Sequence, residues 1–302
     1  MLDTPIAREA LQAVNVMNIH RERWPKPPDT RVITVANQKG GVGKTTSAVN
    51  IAAAMAMHAL RVLVIDLDPQ GNASTALGVD HSVGTPSMYD VLLGDGKIAD
   101  VVASVEISET LLCAPATIDL AGADLELASQ VSREYRLQRA LTGLLDASED
   151  LDYVFIDCPP SLGLLTLNAL VGAREVLIPI QCEYYALEGL AQLLSSIEMV
   201  KSYLNTGLTV STVLLTMYDS RTRLADQVAA DVRAHFGDLV IDSVIPRNVR
   251  VSEAPGFGQT VMTYDAGSRG AVGYLEAARE LAERGRDGHA QAAQKSNDEE
   301  TS

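Results

Sequence analysis

The stretch Val32 to Thr46, reading VITVANQKGGVGKTT, constrains this chain of 302 residues more than any other. Val32 to Ala36 is a short β-branched run of the kind that forms a buried strand. It leads into the loop Lys39-Gly40-Gly41-Val42-Gly43-Lys44-Thr45-Thr46 and then into an apolar pattern with helical spacing. Strand, glycine loop and helix start, in that order, suit a phosphate chain. Glycines let backbone N–H groups turn inward around an anion, and the helix start adds unpaired donors and the positive end of its dipole. Lys44 is spaced to reach β- and γ-phosphates, and the Thr45 hydroxyl to bind Mg²⁺. The same glycines and lysines also describe a plain solvated turn; the strand before and Lys-Thr-Thr after favour the phosphate loop.

The usual P-loop spacing asks for a glycine at position 38, where Gln38 stands, and a second lysine, Lys39, occupies the loop's entrance. That form resembles the deviant Walker A loop of the ParA/MinD ATPases, whose relatives include the nitrogenase iron protein.

Downstream, the chain alternates strands with helices. Helical spacing runs over Ser47–Leu60, Ala123–Leu145, Leu187–Tyr203, Ala225–Phe236 and Ala271–Arg284. Apolar strands run over Arg61–Asp66, Tyr153–Asp157, Val176–Ile180, Val210–Met217 and Leu239–Ile245. The alternation predicts an α/β fold, a doubly wound, mostly parallel sheet with helices on both faces. One domain is expected over 31–285. Residues 1–30 read as an extension: Ile6 to Met17 has an amphipathic helical pattern, and Trp24-Pro25-Lys26-Pro27-Pro28 a stiff linker. That helix could pack on its own domain or a dimer mate, or serve as a partner-binding arm. Residues 286–302, polar and acidic, are expected to be a disordered tail.

Two strands end in carboxylates, at the sheet edge where such folds bind ligands. They are Asp66-Leu67-Asp68-Pro69-Gln70-Gly71-Asn72 and Asp157-Cys158-Pro159-Pro160-Ser161. Phosphoryl transfer needs a carboxylate near Mg²⁺ and a group that orients the attacking water. Asp157 fits the first role through water, Asp68 the second, and Asp66 a supporting place at the metal shell. Each could instead cap a turn; two of them downstream of a phosphate loop favour the chemical reading.

Five blocks together, KGGVGKTT (Lys39–Thr46), DLDPQGNAS (Asp66–Ser74), FIDCPPSLG (Phe155–Gly163), PIQCEYYALEG (Pro179–Gly189) and IPRNVRVSEAPGFG (Ile245–Gly258), are similar to chromosomal ParA/Soj proteins in that family's order. The resemblance covers roughly 31–285. It implies an ATPase using ATP and Mg²⁺ that forms an ATP-dependent homodimer, with both nucleotides sandwiched between subunits. The dimer binds double-stranded DNA of the nucleoid without sequence preference, and hydrolysis stimulated by a ParB-type centromere-binding protein releases it. By position, Lys39 becomes the lysine that crosses to the other subunit's phosphates, and Asp68–Thr75 and Asp157–Gly163 become switches. Pro246 and Asn248 frame the adenine, and Arg221 and Arg250 bind DNA, with Arg247 and Arg223 near them in sequence.

A net charge of −15 and a pI near 4.7 argue against nucleic acid as a partner when taken alone. Phosphate affinity follows local patches, however, and the arginines above supply one, diluted by Asp219, Asp226 and Glu253. No apolar run reaches bilayer length and no basic-then-apolar leader opens the chain, so a soluble cytoplasmic protein is expected, with no membrane partner. The tail lacks the basic amphipathic helix of a MinD-like membrane-cycling ATPase. Cys113, Cys158 and Cys182 lack metal-binding spacing, against an iron–sulfur protein. An ATP-dependent small-molecule synthetase on the same scaffold stays open.

Overall fold

The computed structural model describes residues 23–94, 96–147, 150–184 and 190–300, with side chains to Arg286. The first strand, β1 (Arg31–Val35), runs into the glycine loop and helix α1 (Lys44–Met57). Then come β2 (Val62–Asp66), the short helices α2 (Asn72–Ala76), α3 (Met88–Leu93) and α4 (Ile98–Val101), and a hairpin of β3 (Ala103–Val105) and β4 (Ser108–Ala114). Helices α5 (Ala123–Ala128) and α6 (Arg136–Ala147) precede β5 (Tyr153–Asp157), α7 (Leu164–Gly172), β6 (Glu175–Gln181) and α8 (Leu190–Tyr203). The last part holds β7 (Thr209–Tyr218), α9 (Arg223–Phe236), β8 (Val240–Pro246), α10 (Val249–Glu253), α11 (Val261–Tyr264) and α12 (Arg269–Glu300).

The strands form one sheet in the order β3-β4-β2-β5-β1-β6-β7-β8, parallel except for the β3–β4 pair at one edge. The chain leaves β1 toward β2 and later leaves β5 toward β6 on the opposite side of β1. The glycine loop therefore opens where the winding reverses, the place such sheets bind ligands.

Two apolar layers cover the sheet. On one face α1 and α12 bury Ile51, Met55, Tyr274 and Leu281 against Ile33, Val64 and Phe155. On the other, α6 to α9 bury Leu141, Leu170, Leu193 and Val232 against Val154, Ile156 and Ile178. Removing such a side chain from water contributes about 1.5–3 kcal/mol each, which holds both layers to β1 and β5. Gly273 lets α12 lie close to β8, since a Cβ there would meet Val244 O at 3.1 Å and Pro246 Cδ at 3.0 Å.

Several expectations needed tertiary correction. The helix expected over Ala123–Leu145 is two helices, broken around Ser132, whose φ of 51° is left-handed. The β3–β4 hairpin and α7 had no counterpart in the pattern. The α7 sequence LLTLNALVG is apolar with no clear face, so periodicity cannot separate helix from strand there. The Trp24–Pro28 linker is a packed strap: Trp24 and Pro27 are buried, and the indole stacks on His58 at 3.9 Å between ring centroids. The helix expected over Ile6–Met17 lies outside the described residues.

Candidate active site

The strand register assembles the site. Asp66 pairs in register with Asp157, and Asp157 with Val35, so two carboxylates and the start of the glycine loop reach the sheet edge together. In the loop, Gly41 and Gly43 have φ of 73° and 91°, a conformation that places backbone donors inward and that side chains resist. Gly43 caps α1, directing the helix's unpaired N–H groups at the cavity. Thr216 Oγ1 donates to Val42 O at 2.8 Å and pins the loop to β7.

Lys44 is buried, and its Nζ donates to Lys39 O at 3.3 Å. Burial lowers its pKa, while Asp157, Cys158 and Asp68 favour the charge. Asp157 is fully buried and pushed well above the usual carboxylate range, first by burial and then by the Asp66 charge. The Thr45 hydroxyl favours its charged form, but the pair falls short of hydrogen-bond geometry, so both Asp157 oxygens remain buried without a partner. A hydrated cation held by Thr45 and phosphate oxygens would satisfy that carboxylate, which is how Mg²⁺ is usually bound. Among the described residues no three Asp, Glu, His or Cys side chains converge on a metal position.

Asp66, read from sequence as a supporting residue at the metal shell, is hydrogen-bonded within the segment that follows β2. Its Oδ1 accepts the Asp68 N–H at 3.1 Å, and its Oδ2 accepts the Ser74 N–H and hydroxyl at 2.9 and 2.8 Å. Burial still raises its pKa to about 6, against the pull of those Ser74 bonds. With one bond from Asp68 and two from Ser74 of α2, its geometry is that of a bracket for the segment that follows β2. Asp68 keeps one bond, from Gln70 N–H at 3.0 Å, and faces the cavity.

That cavity, about 630 Å³, is lined by Gly40, Gly41, Gly43, Lys44, Thr45, Thr46, Asp68, Gln70, Asn72 and Pro160. A smaller one of about 130 Å³ shares Gly43, Thr46 and Met217 with it and adds Pro246, Arg247, Asn248 and Tyr274. The two cavities adjoin at the start of α1 and near the end of β7. Met217 and Tyr274 escaped the sequence reading. Met217, the penultimate residue of β7, has φ of 51°, a strain that points to a local constraint. Tyr274 looked like an ordinary core residue of a periodic helix.

Lys39 precedes the cavity-lining Gly40, and its ammonium is ion-paired to Glu183, itself unsuspected from sequence. The arginines read as DNA-facing lie in two segments, after β7 and after β8, and two of them carry acidic partners. Arg221 makes two bonds to Asp219, at 2.9 and 2.8 Å, and Arg250 pairs with Glu253 at 2.9 Å and Asp265 at 3.3 Å. Arg247 is exposed at the smaller cavity. The three cysteines are buried free thiols.

A glycine loop between a parallel strand and a buried helix, facing a strand-end carboxylate, defines a P-loop ATPase. The family described as an AAA domain matches residues 30–210. Sporulation initiation inhibitor protein Soj of Bacillus subtilis is 50% identical over 255 residues, covering 84% of this chain and 99% of that one. Chromosome partitioning protein ParA of Caulobacter vibrioides is 51% identical over 263 residues, with 87% and 98% covered. The chain belongs to the ParA/Soj family of chromosome-partitioning ATPases. Among solved structures, cobyrinic acid a,c-diamide synthase from Mycobacterium smegmatis, with a bound ATP analog and magnesium, superposes with a TM-score of 0.72 at 41% identity, covering 84% and 95%. ATP and Mg²⁺ are accordingly the cofactors, and the chemistry is ATP hydrolysis.

Proposed function

We propose that this chain partitions DNA by cycling between a monomer and an ATP-dependent homodimer in the cytoplasm. The dimer sandwiches two nucleotides, holds double-stranded nucleoid DNA without sequence preference, and is released by hydrolysis that a ParB-type partner stimulates. The observation that carries this is Lys39, a second cation at the mouth of a phosphate chamber that Lys44 already serves. A lysine presented outward suits another subunit's γ-phosphate, where it neutralises charge that grows in the transition state. Gly40 to Thr46 cradle the phosphates, Thr45 and Asp157 hold Mg²⁺, and Asp68 orients water. Pro246 and Asn248 frame the base. Arg221, Arg250 and Arg247 meet DNA phosphates, and doubling the patch in a dimer raises avidity.

A second reading, a small-molecule synthetase, is favoured by the likeness to the cobyrinic acid synthase. One assay separates the two: phosphate release from ATP, with and without mixed-sequence duplex DNA and a ParB-type protein, for the wild type and Lys39→Ala. Partitioning expects stimulation by both additions, and a Lys39→Ala chain that sediments as a monomer with ATP. Indifference to both, with ATP-driven consumption of cobyrinic acid, would establish the synthetase.

A further inference from the structure

Lys39 and Glu183 lie 144 positions apart and are brought together by construction. The buried Asn37 side chain donates its amide to Pro179 O at 2.8 Å and accepts the Lys39 N–H at 3.0 Å. Lys39's backbone is thereby tied to β6, the strand that leads into Glu183. The Glu183 N–H in turn bonds to Gln181 O at 2.8 Å, a tight turn that sets the direction of its carboxylate. Both ends of the pair are mounted on one strand end, yet the side chains remain 34% and 38% exposed. Pairs this open to water are individually weak. The mounting is rigid and the contact is loose, which describes a holder rather than a structural brace.

We propose that Glu183 is a positioning residue for Lys39: it keeps the ammonium on its own subunit until a triphosphate in a second copy's site takes the lysine over. The inference rests on the dimer reading above. A γ-phosphate carries more negative charge than one carboxylate, and closure of the interface excludes the water that screens it. The transfer therefore runs toward the partner when ATP is present and back to Glu183 when the terminal phosphate is gone. While the pair holds, the dimer-competent fraction is reduced, and apparent affinity falls by that fraction. Asn37 keeps Lys39 at the mouth in either state.

Two measurements on the full chain test this. In the nucleotide-free protein, a zero-length carbodiimide should join Lys39 to Glu183, read by mass spectrometry. Addition of Mg²⁺ with a non-hydrolysable ATP analogue should abolish that link; an unchanged yield overturns the transfer. In sedimentation titrations with the same analogue, Glu183→Gln should dimerise at a concentration about two- to fivefold lower than wild type, the range expected from an exposed ion pair. Glu183→Asp should stay near wild type, and Glu183→Gln should have no effect in a Lys39→Ala background. A Glu183→Gln midpoint that is unchanged or higher, in a wild type that does dimerise, overturns the role of Glu183 alone. A wild type that stays monomeric overturns the dimer reading as well.

Discussion

The two ends of the central strands bury charge in opposite ways. At the base, where β1 and β6 begin, Arg31 meets Glu175 through two bonds of 2.7 and 2.6 Å and gives a third to Leu281 O at 2.9 Å. Burial works against the Arg31 charge, and Glu175 more than offsets it, so the pKa is raised. At the mouth, where β2 and β5 end, the Asp157 carboxylate has no partner and the Lys44 charge is disfavoured. The base holds itself together. The mouth is arranged for a ligand that brings both an anion and a cation, and its isolated chain bears that cost in stability.

Replacing one group at each end should therefore move stability in opposite directions. The largest effect is expected from Arg31→Ala. Glu175, only 16% exposed, would lose its partner, and urea denaturation should register a loss of about 3 kcal/mol. Phosphate release per folded molecule should stay within about twofold. A loss too small to measure would erase the distinction between the ends.

Asp157→Asn should have the reverse sign, stabilising the nucleotide-free chain at pH 7 by about 1–2 kcal/mol while abolishing Mg²⁺-dependent phosphate release. The pKa of Asp157 is raised above 3.8, so the folded chain binds that proton more tightly than the unfolded chain. Wild-type stability consequently gains as pH falls through the folded value, and the variant's advantage shrinks on acidification. Asp66 acts in the same sense, gaining as pH falls from about 6 toward 3.8. Paired urea midpoints from pH 7.5 to 5 would show this, and a variant less stable than wild type throughout would break the account.

The smallest effect on folding is expected at the rim. Arg221 and Arg250, 83% and 53% exposed, should leave the urea midpoint unchanged when replaced by Ala. The log–log slope of DNA affinity against salt should nevertheless fall by about one unit per arginine. An unaltered slope removes them from the DNA surface.

Much of this was legible from local signals. Val32–Thr46 announced strand, loop and helix because glycine placement and β-branching are read within a few residues. Tyr153–Asp157 matched its strand, since a fully buried parallel strand is apolar throughout. Legibility failed where neighbours decide. The Ser108–Ala114 strand mixes buried, half-buried and exposed positions without strict alternation, and α7 has no exposed face, so neither has the periodicity of its type. Trp24 looked like part of a linker because its partner, His58, lies at the end of another element.

By itself the sequence determined that a parallel sheet would carry a phosphate loop facing carboxylates at strand ends, because backbone conformation and residue spacing are local properties. Tertiary structure alone decided which carboxylate is bracketed and which is left open: Asp66 is bonded to Ser74, whereas Asp157 meets no donor. It also decided that Lys39 rests on Glu183, since two residues so distant in the chain meet only after β1 and β6 pair. Hydrogen bonding and desolvation depend on distances through space, and those are set by the fold.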